Sequence, residues 1–226
     1  TNPRWLIRTE ILTVPQGSMV AVVGPHKGGK TTFLKLLARV YFAQEGEIFV
    51  PSHLRILQVS QDPMLVDENL WKNLVFGTEG EDPGRVRQIL SRFGLEQLHR
   101  FLDDEDTEHQ ERAHAWRKGL SNTDITKIHI ARALIANREV LVVHRPCANF
   151  DPKVGDEVMD LMGEFVQNRG LEMRGPKHLR RPRTCFYTSD YEQEWRWADQ
   201  VWDVGDGTVK IREDHICKRG IHGHVA

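Results

Sequence analysis

Gly24-Pro-His-Lys-Gly-Gly-Lys30-Thr31 carries the spacing G-x-x-x-x-G-K-[ST]. Each residue type has a use on a polyphosphate. Glycines let a tight loop turn its N–H groups inward at phosphate oxygens. Lys30 offers a compact positive charge to the β- and γ-phosphates, and Thr31 offers a hydroxyl to Mg2+. A helix opening near Lys30 points its positive end at the same anion. A chance glycine turn is the bland alternative, and the four fixed positions recur by chance in roughly 1% of chains of this length. Nucleotide contacts are therefore expected from Gly24, Pro25, His26, Lys27, Gly28, Gly29, Lys30, Thr31 and Thr32.

Such a loop needs a strand before it and a helix after it. Met19–Val23 is a continuous apolar run ending at Gly24, as a buried strand would. In the stretch from Lys30 to Val40, Phe33, Leu36, Leu37 and Val40 recur at helical spacing. Glu47–Val50 and Leu54–Ser60 read as short strands, Val140–Val143 as a buried strand and Thr184–Thr188 as a further strand. Asp206-Gly207 between Val201–Val204 and Thr208–Ile211 is a hairpin signal. Asp124–Ala136 and Pro152–Asn168 read as helices, the former with Ile125, Ile128, Ala131, Leu134 and Ile135 on one face. A polar, helical stretch interrupts this pattern from about residue 66, with an acidic run over Asp103–Glu111. Alternating strands and helices predict an α/β domain with a mainly parallel sheet.

The 226 residues suit one folded domain, 39% hydrophobic and 28% charged. Lys and Arg total 31 against 32 Asp and Glu, a net charge of −1, which excludes a generally basic nucleic-acid binder but not a local basic patch. Arg174, Lys177, Arg180, Arg181 and Arg183 form one such patch, read as a solvated loop with nucleic-acid docking as the alternative. Cys147, Cys185 and Cys217 are odd in number and widely spaced, which argues against a disulfide scaffold and for a reducing compartment. His215, His222 and His224 lack the spacing of a tight metal cluster. With no apolar run approaching a membrane span and Thr1 in first place, an excised domain is expected.

Taken in order, the motifs resemble the nucleotide-binding domain of ABC (ATP-binding cassette) proteins, of the exporter type. Val59-Ser-Gln61-Asp-Pro resembles the family's Q-loop, and Asn69–Gly77 the stretch that follows it. Leu120-Ser121-Asn-Thr-Asp124 sits where the family carries its LSGGQ signature. Val140–Pro146 resembles the Walker B strand, Ala148–Asp151 the D-loop, and Thr188-Ser189-Asp190 falls at the H-loop. The resemblance implies a P-loop NTPase fold: a mainly parallel sheet core, an N-terminal antiparallel sheet and an inserted helical subdomain at about 66–136, all within one domain over 1–226. It adds Gln61 to the nucleotide contacts and makes Thr31 and Gln61 the metal ligands. ATP and Mg2+ are the implied cofactors. The implied partners are a second cassette, paired head-to-tail, and a transmembrane domain, at the cytoplasmic face of a membrane. Trp5 is the candidate for the aromatic that stacks on adenine.

The departures decide the mechanism. The Asp-Glu that ends the family's Walker B strand is replaced by His144-Arg145. A neutral imidazole offers no anionic ligand to a hard metal, and Arg accepts no proton. Ser189 replaces the H-loop histidine, and Asn122, Thr123 and Asp124 replace the Gly-Gly-Gln of the signature. We accordingly assign no catalytic residue. The expectation is a cassette that binds ATP, depends little on Mg2+, hydrolyses poorly or not at all, and is regulatory or structural. The alternatives are an active ATPase module working with a partner cassette, and a soluble cassette that binds nucleic acid through 174–183. For Arg145 two roles remain open: replacing the metal's charge beside phosphate, or pairing with Asp151.

Overall fold

The computed structural model describes residues 7, 9, 11–102 and 115–213. Trp5, the acidic run Asp103–Glu111, Cys217 and the histidines 215, 222 and 224 lie outside the described residues. The chain divides into two compact units, one formed by residues 1–61, 139–146 and 181–226, the other by 62–138 and 147–180.

The first unit holds the sheet. Its elements are β1 (Met19–Val23), α1 (Lys30–Leu37), β2 (Ile56–Val59), β3 (Val140–Val143), β4 (Thr184–Thr188), β5 (Gln200–Gly205) and β6 (Thr208–Ile211). The strand order is β2-β3-β4-β1-β5-β6. Every neighbouring pair is parallel except the β5–β6 hairpin, whose Asp206 and Gly207 have positive φ angles of 50° and 72° as a tight two-residue hairpin requires. All five residues of β1 and all of β4 are buried, which explains why β1 reads as an unbroken apolar run rather than an alternating one. Val20, Val22, Val140, Val142, Phe186 and Val204 pack with Phe33 and Leu34 of α1 around Trp202, whose ring lies 5.9 Å from Phe33 and 5.8 Å from Phe186.

Among the described residues the antiparallel pairing is the β5–β6 hairpin, and the N-terminal antiparallel sheet that the resemblance implies is not seen. Glu47–Val50, read as a strand, joins no ladder. Ile48 and Val50 are only half-buried, and Phe49, the largest apolar residue of the segment, is 82% exposed.

The second unit is helical. It contains α2 (Leu70–Leu74), α3 (Pro83–Arg92), α4 (Asn122–Ala136) and α5 (Pro152–Gln167), with a 3-10 turn at Glu96–Phe101. The sequence places the helical stretch at about 66–136, and the compact unit also takes in 147–180 with α5. In α4 the buried set is broader than one face, because Thr126, Ile130 and Ala133 are buried along with Ile128, Ala131, Leu134 and Ile135, while Ile125 is half-buried. Buried Arg85 satisfies the end of α4, donating to the carbonyls of Leu134 and Ile135 at 3.0 Å while pairing with Glu81 at 2.7 Å.

One ion pair ties β2 to the start of β3. The buried carboxylate of Glu139 accepts from Arg55 Nε and Nη2 at 2.9 Å and from the Arg55 N–H at 3.1 Å. Burial pushes this carboxyl's pKa up, but the Arg55 hydrogen bonds outweigh that and hold it at about 2, against an ordinary 4.5. A depressed carboxyl pKa stabilises the fold above the unfolded value, and that stability is lost as pH falls through the folded one. Urea unfolding should thus show stability falling between about pH 5 and pH 2. Glu139→Gln should remove about 2 kcal/mol at pH 7 and flatten that fall, the figure being held down because Arg55 is half in water.

Candidate phosphate site

Parallel strands deliver their following loops to one sheet edge. The residues after β1, β2, β3 and β4 are Gly24, Gln61, His144-Arg145 and Ser189-Asp190, so the first unit itself gathers the predicted phosphate loop, Q-loop, Walker B end and H-loop.

The loop after β1 is shaped by backbone approach. Gly24 has φ 135°, and a Cβ there would lie 2.1 Å from the Val204 carbonyl oxygen of β5. Gly28 is similarly confined, 2.8 Å from the same oxygen. The Gly28 N–H donates to the Pro25 carbonyl at 3.0 Å, closing a turn whose crest, Pro25 to Lys27, is exposed. Lys27 at φ 62° and Gly29 at φ 102° are both left-handed, and left-handed residues alternating with ordinary ones produce an anion-binding concavity of N–H groups. Gly29 then begins α1, with Lys30, Thr31 and half-buried Thr32 in its first turn.

Lys30 is well supplied with partners. Its ammonium donates to the carbonyls of Gly24 at 2.7 Å and Pro25 at 3.1 Å, and it forms an ion pair with Asp190 at 3.6 Å. Asp190 in turn holds Arg145 Nη2 at 2.7 Å, while Arg145 Nη1 points at Gln61 Oε1 at 3.4 Å. Arg145 is fixed from behind: its backbone takes the left-handed conformation at φ 50°, and its N–H donates to Thr188 Oγ1 at 2.8 Å. Thr31 Oγ1 is hydrogen-bonded to His144 Nε2 at 3.0 Å. Ser189 is buried and turned into its own loop, donating from Oγ to the Tyr191 carbonyl at 2.8 Å.

Arg145 pairs with Asp190, while the Asp151 carboxylate caps α5 by accepting from the Val154 N–H at 3.1 Å. Asp190 is the residue that sequence reasoning missed. A carboxylate next to the H-loop position, in a chain with Arg at the Walker B end, was the available signal.

This donor set does not fit Mg2+. The two expected ligands are occupied, Thr31 by His144 and Gln61 by the Arg145 guanidinium. A hard dication takes carboxylate and phosphate oxygens, and the Asp190 carboxylate is already shared by two cations.

In the second unit, the signature position has become a self-capped helix end. Ser121 Oγ accepts from the Asp124 N–H at 3.1 Å, and Asp124 Oδ2 accepts from the Ser121 N–H at 3.0 Å, a reciprocal capping box at the start of α4.

Fold and site together define a phosphate-loop domain of the P-loop NTPase class. The sequence profile of the ABC transporter family matches residues 9–148. The chain is 28% identical over 200 residues to the aliphatic sulfonates import ATP-binding protein SsuB 1 of Streptomyces avermitilis, covering 88% of this chain and 66% of that protein. It is 26% identical over 231 residues to the fatty acid ABC transporter ATP-binding/permease protein of Mycobacterium tuberculosis, covering 96% of this chain and 34% of that one. Among solved structures, a bacterial Atm1-family ABC exporter with ATP bound superposes with a TM-score of 0.64 at 21% identity, over 87% of this chain and 33% of that one. A dimeric ATP-binding cassette in a post-hydrolysis state, bound to ADP and Pi, gives the same TM-score at 21% identity, over 89% and 87%. The chain belongs to the ABC transporter family and is an ATP-binding cassette domain; it spans about two thirds or less of several of these relatives.

Two substitutions check this geometry. Gly24→Ala should cost about 3 kcal/mol in urea unfolding, combining a left-handed backbone with a backbone clash. Ser121→Ala should cost about 1 kcal/mol, the usual value of an N-cap, read by the same unfolding experiment.

Proposed function

We propose that this cassette binds ATP at Gly24–Thr32 with Gln61 nearby, hydrolyses it poorly or not at all, and acts as a regulatory or structural member of a transporter-like assembly. The observation that carries the reading is the end of β3. Hydrolysis needs a proton acceptor for the attacking water, and a guanidinium bound to Asp190 stands where the family places its carboxylate base. Retention of the loop, its left-handed Lys27 and Gly29, and Lys30 supports binding.

A second cassette and a transmembrane domain are the partners this reading implies, at the cytoplasmic face of a membrane. Among the described residues no helix is long and apolar enough to cross a membrane. Met64 and Phe76, bracketing α2, are 70% and 62% exposed, which suits docking of such a partner on the stretch after Gln61. The basic loop favours a structural role over nucleic acid: Arg174 pairs with Asp82 at 3.0 Å, Arg181 donates to the His53 carbonyl at 3.3 Å, and Arg183 is buried.

Calorimetry with ATP and a phosphate-release assay test the proposal together. Expected are saturable ATP binding that survives excess chelator, weakened roughly tenfold or more by Lys30→Ala, and turnover at least ~10²-fold below an intact cassette. Turnover at the level of an intact cassette that disappears in Lys30→Ala would sink the reading.

A further inference from the structure

The ion chain Lys30–Asp190–Arg145 has a consequence for any anion that approaches the loop. A lysine ammonium has three donors. Here two go to the Gly24 and Pro25 carbonyls at 2.7 and 3.1 Å, and the third side faces Asp190 at 3.6 Å. A phosphate oxygen must displace one of these, and the longest contact is the one to Asp190. The same carboxylate uses its other oxygen on Arg145 at 2.7 Å. Asp190 therefore binds two cations at once, as a phosphate group does.

We propose that Lys30 and Arg145 form a two-cation receptor for a terminal phosphate, and that Asp190 is its internal competitor. Phosphate and the Asp190 carboxylate exclude one another, since both need the same two cations and repel each other. Release is easy in structural terms, because the Asp190 side chain is 33% exposed and swings into water when displaced. The neighbouring Ser189 sets where the competitor stands: its hydroxyl donates to the Tyr191 carbonyl at 2.8 Å and accepts from the Tyr191 N–H at 3.3 Å, fixing the turn that presents Asp190. Ser189 is thereby a positioning residue. Affinity for polyphosphate is set below what the loop could reach, by a carboxylate carried on the chain itself.

The proposal rests on nucleotide binding at this loop and is tested by titrating ATP, and separately inorganic triphosphate, into the purified protein and its Asp190→Asn variant, in chelator. Removing two ion-pair contacts and one repulsive charge should tighten both ligands by roughly tenfold. The gain should shrink in an Arg145→Gln background, where one of the two cations is gone. Asp190→Ala guards against a misfolded first variant and should reproduce the gain. Equal affinity in parent and variant overturns the competitor role while leaving nucleotide binding intact. A gain for ATP without one for triphosphate overturns the phosphate assignment. Absence of binding in every variant overturns both this inference and the function on which it rests.

Discussion

The parallel register of β1, β2, β3 and β4 is the constraint on which the site depends. In a parallel sheet every strand hands its chain to a loop at the same edge, so four segments separated by up to 166 residues in sequence (Gly24 to Asp190) become neighbours without any local signal that they should. The β5 carbonyl at Val204 then presses the first of those loops into shape, because Gly24 and Gly28 lack a Cβ to resist it. Trp202, on the same strand, anchors the core beneath.

The charges gathered at the sheet edge are balanced within the protein. In a cassette with carboxylates after β3, Lys30 and the metal would share the phosphate's charge with groups of opposite sign. With His144 and Arg145 there, the site carries an extra cation, and Asp190 neutralises it internally. The arrangement is self-consistent: Lys30, Thr31, Gln61 and Arg145 each have a protein partner. The capping box at Ser121 and Asp124 follows the same pattern in the other unit, where the N–H groups of these two residues are met by each other's side chains.

Much of the fold was legible because burial leaves continuous marks. β1 and β3 are unbroken apolar runs, the Asp206-Gly207 turn is a two-residue code, and the phosphate loop is a spacing that few sequences meet by chance. What escaped was non-local. The Arg145–Asp190 pair spans 45 residues, and neither periodicity nor spacing records which of several acids an arginine will meet. Asp190 was visible only as a neighbour of the missing H-loop histidine. The segment Glu47–Val50 misled for the opposite reason: its pattern suits a strand, but it joins no described ladder and leaves Phe49 in water.

Among the described strands β2 has a single neighbour, so one side of Ile56–Val59 presents unpaired backbone groups. Such an edge invites addition of a strand from another molecule, and with it aggregation. This one is poorly suited to that: it is four residues long, Pro51 and Pro63 bracket it, and a charged Arg55 stands at its entry. Brevity, imino acids and charge together discourage growth of the sheet at this edge.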